Sequence, residues 1–161
     1  MENIGLVIVH TGDGKGKTTA ALGMAMRAWG NHLRVLILQF IKGSWKYGEL
    51  ESIKALASIN DQIEIRQGGL GFSQRGSGAE EEHRCAAAEL LQTAMDELRS
   101  NAWDMIILDE FNYAYSFGFI SLDDLEQLLS VRPEKTHLIF TGRNAAQELI
   151  DRAALVTEMR L

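Results

Sequence analysis

The sequence predicts an α/β protein with a mainly parallel sheet and helices on both faces. Short apolar runs at 4–9, 34–40, 62–66, 105–108 and 137–140 alternate with helical patterns at 18–29, 49–57, 80–99, 122–129 and 145–152. Parallel strands joined by helical crossovers need this alternation. The runs are also apolar at successive positions, as strands covered on both faces must be.

The first run leads into Thr11-Gly12-Asp13-Gly14-Lys15-Gly16-Lys17-Thr18-Thr19, and the first helix opens directly afterwards. Glycines let the backbone wrap closely enough for successive N–H groups to face phosphate oxygens, and the helix presents its positive end to the same anion. Lys17 adds a mobile charge, and the Thr18 hydroxyl is a magnesium ligand of the phosphate-loop pattern G-x-x-x-x-G-K-[ST]. Thr11 stands at that pattern's first glycine and a glycine follows at Gly12, while Gly16-Lys17-Thr18 is intact. A turn that merely reversed the chain would require neither the lysine nor the hydroxyl.

The later helices carry start signals: Ser77 precedes Glu80, Ser121 precedes Asp124 and Asn144 precedes Gln147, each by three residues. Ala87, Leu90, Leu91, Ala94 and Leu98 make one apolar face, and Leu122, Leu125, Leu128 and Leu129 another. These are core stripes. Between the third strand and its helix, residues 67–78 hold five glycines in twelve positions. They make a long loop at the edge where doubly wound sheets bind ligands.

The fourth strand ends in Asp109 and Glu110. Beside a phosphate loop, either carboxylate is placed to hold magnesium, directly or through water, across from Thr18. Phe111-Asn112-Tyr113-Ala114-Tyr115 follows, with aromatic faces available to a flat ligand or to the core. Thr141-Gly142-Arg143 closes the fifth strand, where an arginine reaches a bound nucleotide. His10, His32, His83 and His137 show no metal-ligand spacing, and no catalytic role is assigned to them.

Composition narrows the function classes. The 161 residues suit one domain, 1–161, with a core that needs no disulfide. A net charge of −6 argues against a protein that coats nucleic acid. Lys15, Lys17, Lys42, Lys46, Arg66 and Arg75 nevertheless gather in the first half, where a polyphosphate or acidic ligand can be met. No apolar run approaches the roughly 20 residues of a membrane span. The first strand begins close to Met1, so neither a signal peptide nor membrane attachment is expected, and the cytoplasm is the expected compartment. The single cysteine, Cys85, reads as a small helix residue.

Residues 10–21, Gln39-Phe40-Ile41-Lys42-Gly43, the segment 108–114, Thr141-Gly142-Arg143 and Val156-Thr157-Glu158-Met159, taken in order, resemble the P-loop ATP:corrinoid adenosyltransferases. That resemblance implies a RecA-like fold and transfer of the 5′-deoxyadenosyl group of ATP to the Co(I) of a reduced corrinoid, with release of triphosphate. It implies ATP lying reversed in the loop compared with an ordinary ATPase. By the same resemblance, Gly12, Asp13, Gly14, Lys15, Gly16, Lys17, Thr18 and Thr19 hold the triphosphate. Thr18 with Asp109 or Glu110 holds Mg2+ or Mn2+, and Lys17, Thr18 and Glu110 stabilise the leaving group. Lys42, Asn112 and Arg143 carry over as ligand contacts. A homodimer is expected, with a reductase or flavoprotein as electron donor.

Two departures fall on corrinoid handling. Where relatives often read Gly-Phe-Thr-Trp, this chain has Gly71-Phe72-Ser73-Gln74, retaining only Phe72 as an apolar wedge against the corrinoid. The extension before the first strand and the basic tail common in the family are not present in this sequence. The rival readings are an ATP hydrolase or kinase, with Glu110 orienting the nucleophile, and a non-catalytic ATP-binding or corrinoid-carrying homologue.

Overall fold

Successive residues of a strand face opposite sides of the sheet, and that alternation sorts the apolar residues into two cores. In the computed structural model, which describes residues 4–41, 46–71 and 78–161, Val7, Val9, Leu36, Leu38, Ile106, Leu108, Leu138 and Phe140 face one side. Ile8, Val35, Ile37, Ile63, Met105, Ile107 and Ile139 face the other.

The strands are β1 (Val7–Thr11), β2 (Val35–Gln39), β3 (Ile63–Gln67), β4 (Met105–Asp109), β5 (His137–Thr141) and β6 (Leu155–Glu158). They pair in the order β3-β2-β4-β5-β1-β6, every pair parallel. Interior strands β1, β2 and β4 are buried at every position, whereas edge strand β6 is mostly exposed.

Helices α1 (Lys17–Gly30) and α2 (Gly48–Ala57) cover one face, through Ala21, Ala25, Ala28 and Ile53. The other face is covered by α3 (Glu80–Ser100), α4 (Phe111–Ser116), α5 (Leu122–Ser130) and α6 (Gln147–Ile150). The expected α3 stripe is buried throughout and gains Met95. In α5, Leu125 and Leu128 are buried, but Leu122 is 41 % exposed, because it stands at the helix's first position, beyond the core's edge.

Of the proposed caps, Ser121 forms a full capping box with Asp124. Asn144 is not a cap: Ala146 holds that position, and Asn144 takes a left-handed turn at φ 54°. The last helix is accordingly four residues long rather than eight. Ser77 lies outside the described residues, and Ala79 precedes the first turn of α3. Two elements, α4 and β6, were not among the expected ones. The first strand also runs later than expected, through His10 and Thr11, since a parallel interior strand can satisfy its backbone regardless of side-chain polarity.

Candidate functional site

All the strands point their C-terminal ends at one edge, and β1 delivers the glycine-rich loop there. Gly16, at φ 107°, turns the chain into α1, and no atom lies within 4 Å of where its Cβ would stand. The start of α1 lines an open cleft, and its first turn receives no side-chain cap and holds no acidic residue. Such an end attracts anions. The Lys17 ammonium folds back, donating to the Gly12 carbonyl at 2.8 Å and the Gly14 carbonyl at 2.6 Å.

Two of the glycines have a second reason to be glycine. The chain beyond β6 backs the loop, with Gly14 N donating to Met159 O at 2.7 Å and Met159 N to Thr11 O at 2.8 Å. A Cβ on Gly12 would stand 2.3 Å from Met159 O, and one on Gly14 would stand 2.4 Å from Arg160 O. Glu158, Met159 and Arg160 thus act as a wall behind the loop, which the sequence alone did not reveal.

Strand β5 lies between β1 and β4, and its last residue, Thr141, reaches the β4 carboxylate. Thr18 Oγ1 donates to Asp109 Oδ1 at 2.7 Å, and Thr141 Oγ1 donates to the same oxygen at 2.7 Å. Thr141 Oγ1 in turn accepts from the Glu110 backbone N–H at 2.9 Å. The Asp109 Oδ2 accepts from the Gln39 amide at 3.1 Å. Asp109 is 1 % exposed.

Glu110 adopts a left-handed backbone, φ 59° and ψ 22°, between β4 and α4. Such a conformation costs a glutamate roughly 1–3 kcal/mol and persists where the surroundings impose it. Here it brings Glu110 to the wall of a cleft of about 600 Å3, shared with residues 14–19, Arg143 and Asn144. Tyr113 on α4 and Phe117, just past its end, line the same cleft and stack with ring centroids 4.1 Å apart.

The remaining expected residues divide. Arg143 is exposed at the cleft, with its Nε 3.9 Å from Asp13 Oδ1 and a 3.4 Å hydrogen bond to the Asp13 carbonyl. Asn112 is 1 % exposed and holds the turn behind the cleft, its amide donating to Gly142 O at 3.0 Å. Gly142 takes φ 125°, which side-chain-bearing residues rarely adopt, and a Cβ there would stand tightly against Asn112 Cβ at 3.0 Å. Lys42 and Phe72 lie outside the described residues. Arg66 is taken up by Glu64 at 2.6 Å and Glu97 at 2.5 Å and stands away from the cleft.

His10 is buried at 5 % exposure, and neither ring nitrogen has a hydrogen-bond partner among the described residues. Burial pushes its imidazole below the ordinary histidine range. Gln39 is the residue that sequence reasoning missed. It was quoted within the Gln39-Phe40-Ile41-Lys42-Gly43 segment, and its own signal was a polar side chain at the end of an otherwise apolar run.

The donors at Thr18 and Asp109 are a hydroxyl and a carboxylate, the hard oxygen chemistry that suits Mg2+ or Mn2+. No group of three His, Cys, Asp or Glu side chains able to hold a metal occurs among the described residues. Water and nucleotide phosphate oxygens are the ligands that would complete such a coordination. Among those residues, too, no helix is long and apolar enough to cross a membrane.

The fold resembles the crystal structure of flagellar accessory protein FlaH from Methanocaldococcus jannaschii, with a TM-score of 0.60 at 16 % identity over 96 % of this chain and 70 % of that one. The sheet is that of a RecA-like P-loop protein. The corrinoid adenosyltransferase of Escherichia coli (strain K12) is 35 % identical over 156 residues, 97 % of this chain and 76 % of that protein. Corrinoid adenosyltransferase CobA of Salmonella typhimurium is 34 % identical over 159 residues, 99 % and 78 % of the two chains. Residues 3–161 match the family described as ATP:corrinoid adenosyltransferase BtuR/CobO/CobP, and with the loop, the β4 carboxylate and the cleft all at one sheet edge, this chain belongs to that family.

Proposed function

We propose that residues 1–161 form one domain that transfers the 5′-deoxyadenosyl group of ATP to the Co(I) of a reduced corrinoid, releasing triphosphate, in adenosylcobalamin biosynthesis or salvage. The bond from cobalt to the 5′ carbon forms as the bond from that carbon to the triphosphate oxygen breaks. Both electrons of the new bond come from Co(I), and the triphosphate leaves with the old pair. The observation that carries this reading is the Thr18–Asp109 contact, which closes an anion-binding loop onto a carboxylate beside the cleft.

Because cobalt is itself the nucleophile, no general base is required. The protein's task is alignment and stabilisation of the departing anion. Gly12, Asp13, Gly14, Lys15, Gly16 and Thr19 supply the loop around the triphosphate, and Lys17 exchanges its loop carbonyls for phosphate oxygens. Thr18 with Asp109 or Glu110 would hold Mg2+ or Mn2+, which supplies positive charge to the leaving group. Arg143 contacts the nucleotide from across the cleft, and Asn112 contributes by fixing the Gly142 turn. Lys42 is a further ligand contact, and Phe72 is the wedge on the corrinoid face. The protein works in the cytoplasm as a homodimer, fed by a reductase or flavoprotein.

Purified protein is mixed anaerobically with ATP and chemically reduced corrinoid. The cobalt–carbon bond is followed by its spectrum and the released product by chromatography. Triphosphate in step with the alkylated corrinoid is the expected result. Inorganic phosphate released without corrinoid would instead support a hydrolase, and ATP binding without turnover would support a carrier.

A further inference from the structure

At the C-terminal edge of the sheet, the parallel register sets Gln67, Gln39 and Asp109 at one level on neighbouring strands. Side chains at one level of a parallel sheet share a face, and these three form a chain of hydrogen bonds. Gln67 Nε2 donates to Gln39 Oε1 at 3.1 Å. Gln39 Nε2 donates to Asp109 Oδ2 at 3.1 Å and to Glu49 Oε1 at 3.3 Å. Gln39 is fully buried.

An amide side chain can present either its nitrogen or its oxygen to a neighbour. The Asp109 and Glu49 carboxylates only accept, so the Gln39 nitrogen must face them, and the bond from Gln67 satisfies the oxygen on the other side. Thr141 grips the other oxygen of Asp109. Thr18, which also bonds Asp109, is itself a proposed metal ligand. With metal bound, Gln39 and Thr141 still hold the carboxylate.

We propose that Gln39 is a positioning residue for the metal-binding carboxylate, holding Asp109 Oδ2 through its amide nitrogen, and that Gln67 steadies that amide by satisfying its oxygen. The proposal rests on the metal site described above. Partners of this kind orient first ligands and are generally worth about 10–100-fold in metal affinity.

ATP binding is measured by calorimetry on the full chain, with Mg2+ and with a chelator instead, for wild type, Gln39→Leu, Gln67→Leu and the double variant. Wild type is expected to bind ATP more tightly with Mg2+. Gln39→Leu should lose about tenfold of that gain while keeping its metal-free affinity. Gln67→Leu should lose a smaller part, and should lose nothing further once Gln39 is gone, since it acts through that amide. A full metal-dependent gain in Gln39→Leu overturns the proposal. If that variant fails to fold, a full gain in Gln67→Leu overturns it equally. No metal-dependent gain in wild type would instead remove the metal site itself.

Discussion

Thr18 and Asp109, 91 residues apart in the chain, meet through a 2.7 Å hydrogen bond that ties the start of α1 to the end of β4. Lys17, its neighbour, makes no bond to Asp109 in the described contacts and instead holds the loop carbonyls of Gly12 and Gly14. Adjacent residues thus serve different partners, and their substitutions should separate kinetically.

Thr18→Ala is expected to raise the Mg2+ concentration needed for half-maximal transfer, and excess Mg2+ should restore much of the rate. Lys17→Ala should raise the KM for ATP at every Mg2+ concentration. A hydrogen bond to a charged group is worth about 1.5–3 kcal/mol, or on the order of 10–100-fold in each parameter. Steady-state kinetics over a grid of ATP and Mg2+ checks both. Identical behaviour of the two variants would contradict the division of labour.

Glu110 sets charge against backbone strain. Glu110→Gly should relieve the left-handed conformation at φ 59° and stabilise the fold by about 1 kcal/mol, while lowering transfer. Glu110→Gln keeps the strain and removes only the charge. It should lower transfer without the gain in stability, and neither variant should change a negligible corrinoid-independent hydrolysis of ATP. Urea unfolding alongside product analysis tests this. Strong hydrolysis in wild type, abolished in Glu110→Gln, would place Glu110 as a water-orienting group instead.

The wall behind the phosphate loop gives a paired test on two glycines. In Gly14→Ala the new methyl would stand 2.4 Å from Arg160 O, so either the loop or the terminal segment must move. A loss of about 1–3 kcal/mol in stability is expected, with weakened ATP binding. Gly23, exposed on α1, has nothing within 4 Å of its missing Cβ. Gly23→Ala should add about 0.5–1 kcal/mol through helix propensity alone and leave ATP binding unchanged. Thermal unfolding and calorimetry of the two variants provide the comparison.

Much of this geometry was legible in the residues because it depends on local pattern. The alternation of apolar runs gave the parallel sheet, and Gly16-Lys17-Thr18 gave the anion loop at the end of β1. Ser121 gave its helix start through a spacing that acts within one turn. What was not legible depends on partners distant in sequence or on elements too short or too exposed to show a pattern. Nothing around Gly12 or Gly14 announces that Met159 and Arg160 will lie against them. The α4 helix is six residues of mostly aromatic sequence, too short for a 3.6-residue period to declare itself. Strand β6 is an exposed edge of four residues, with no buried run to mark it. Asn144 carried the right spacing for a cap, yet the Thr141-Gly142-Arg143 turn carries the chain past it in a left-handed step before α6 begins. Gln39 was quoted as part of a motif, but its importance comes from lying level with Asp109, a relation set by strand order.

His10 leads to the last prediction, on pH. Burial lowers its pKa in the folded protein below the 6.5 expected of an exposed histidine. Below pH 6.5 the unfolded chain therefore takes up a proton that the folded chain refuses, so stability falls as pH falls, until the folded pKa is reached. The slope for one such proton is at most about 1.4 kcal/mol per pH unit. His137 acts in the same direction. Its pKa is lowered by burial and then by Arg132, partly offset by Asp104, and its Nδ1 accepts from the Leu6 N–H. His10→Gln should therefore flatten, but not abolish, the decline in unfolding free energy between pH 7.5 and about pH 5.5, as read from urea titrations at half-unit steps. An unchanged slope would mean that the imidazole gains its proton in the folded state as readily as in the unfolded one, and that its burial beside the phosphate loop imposes no penalty on the charge.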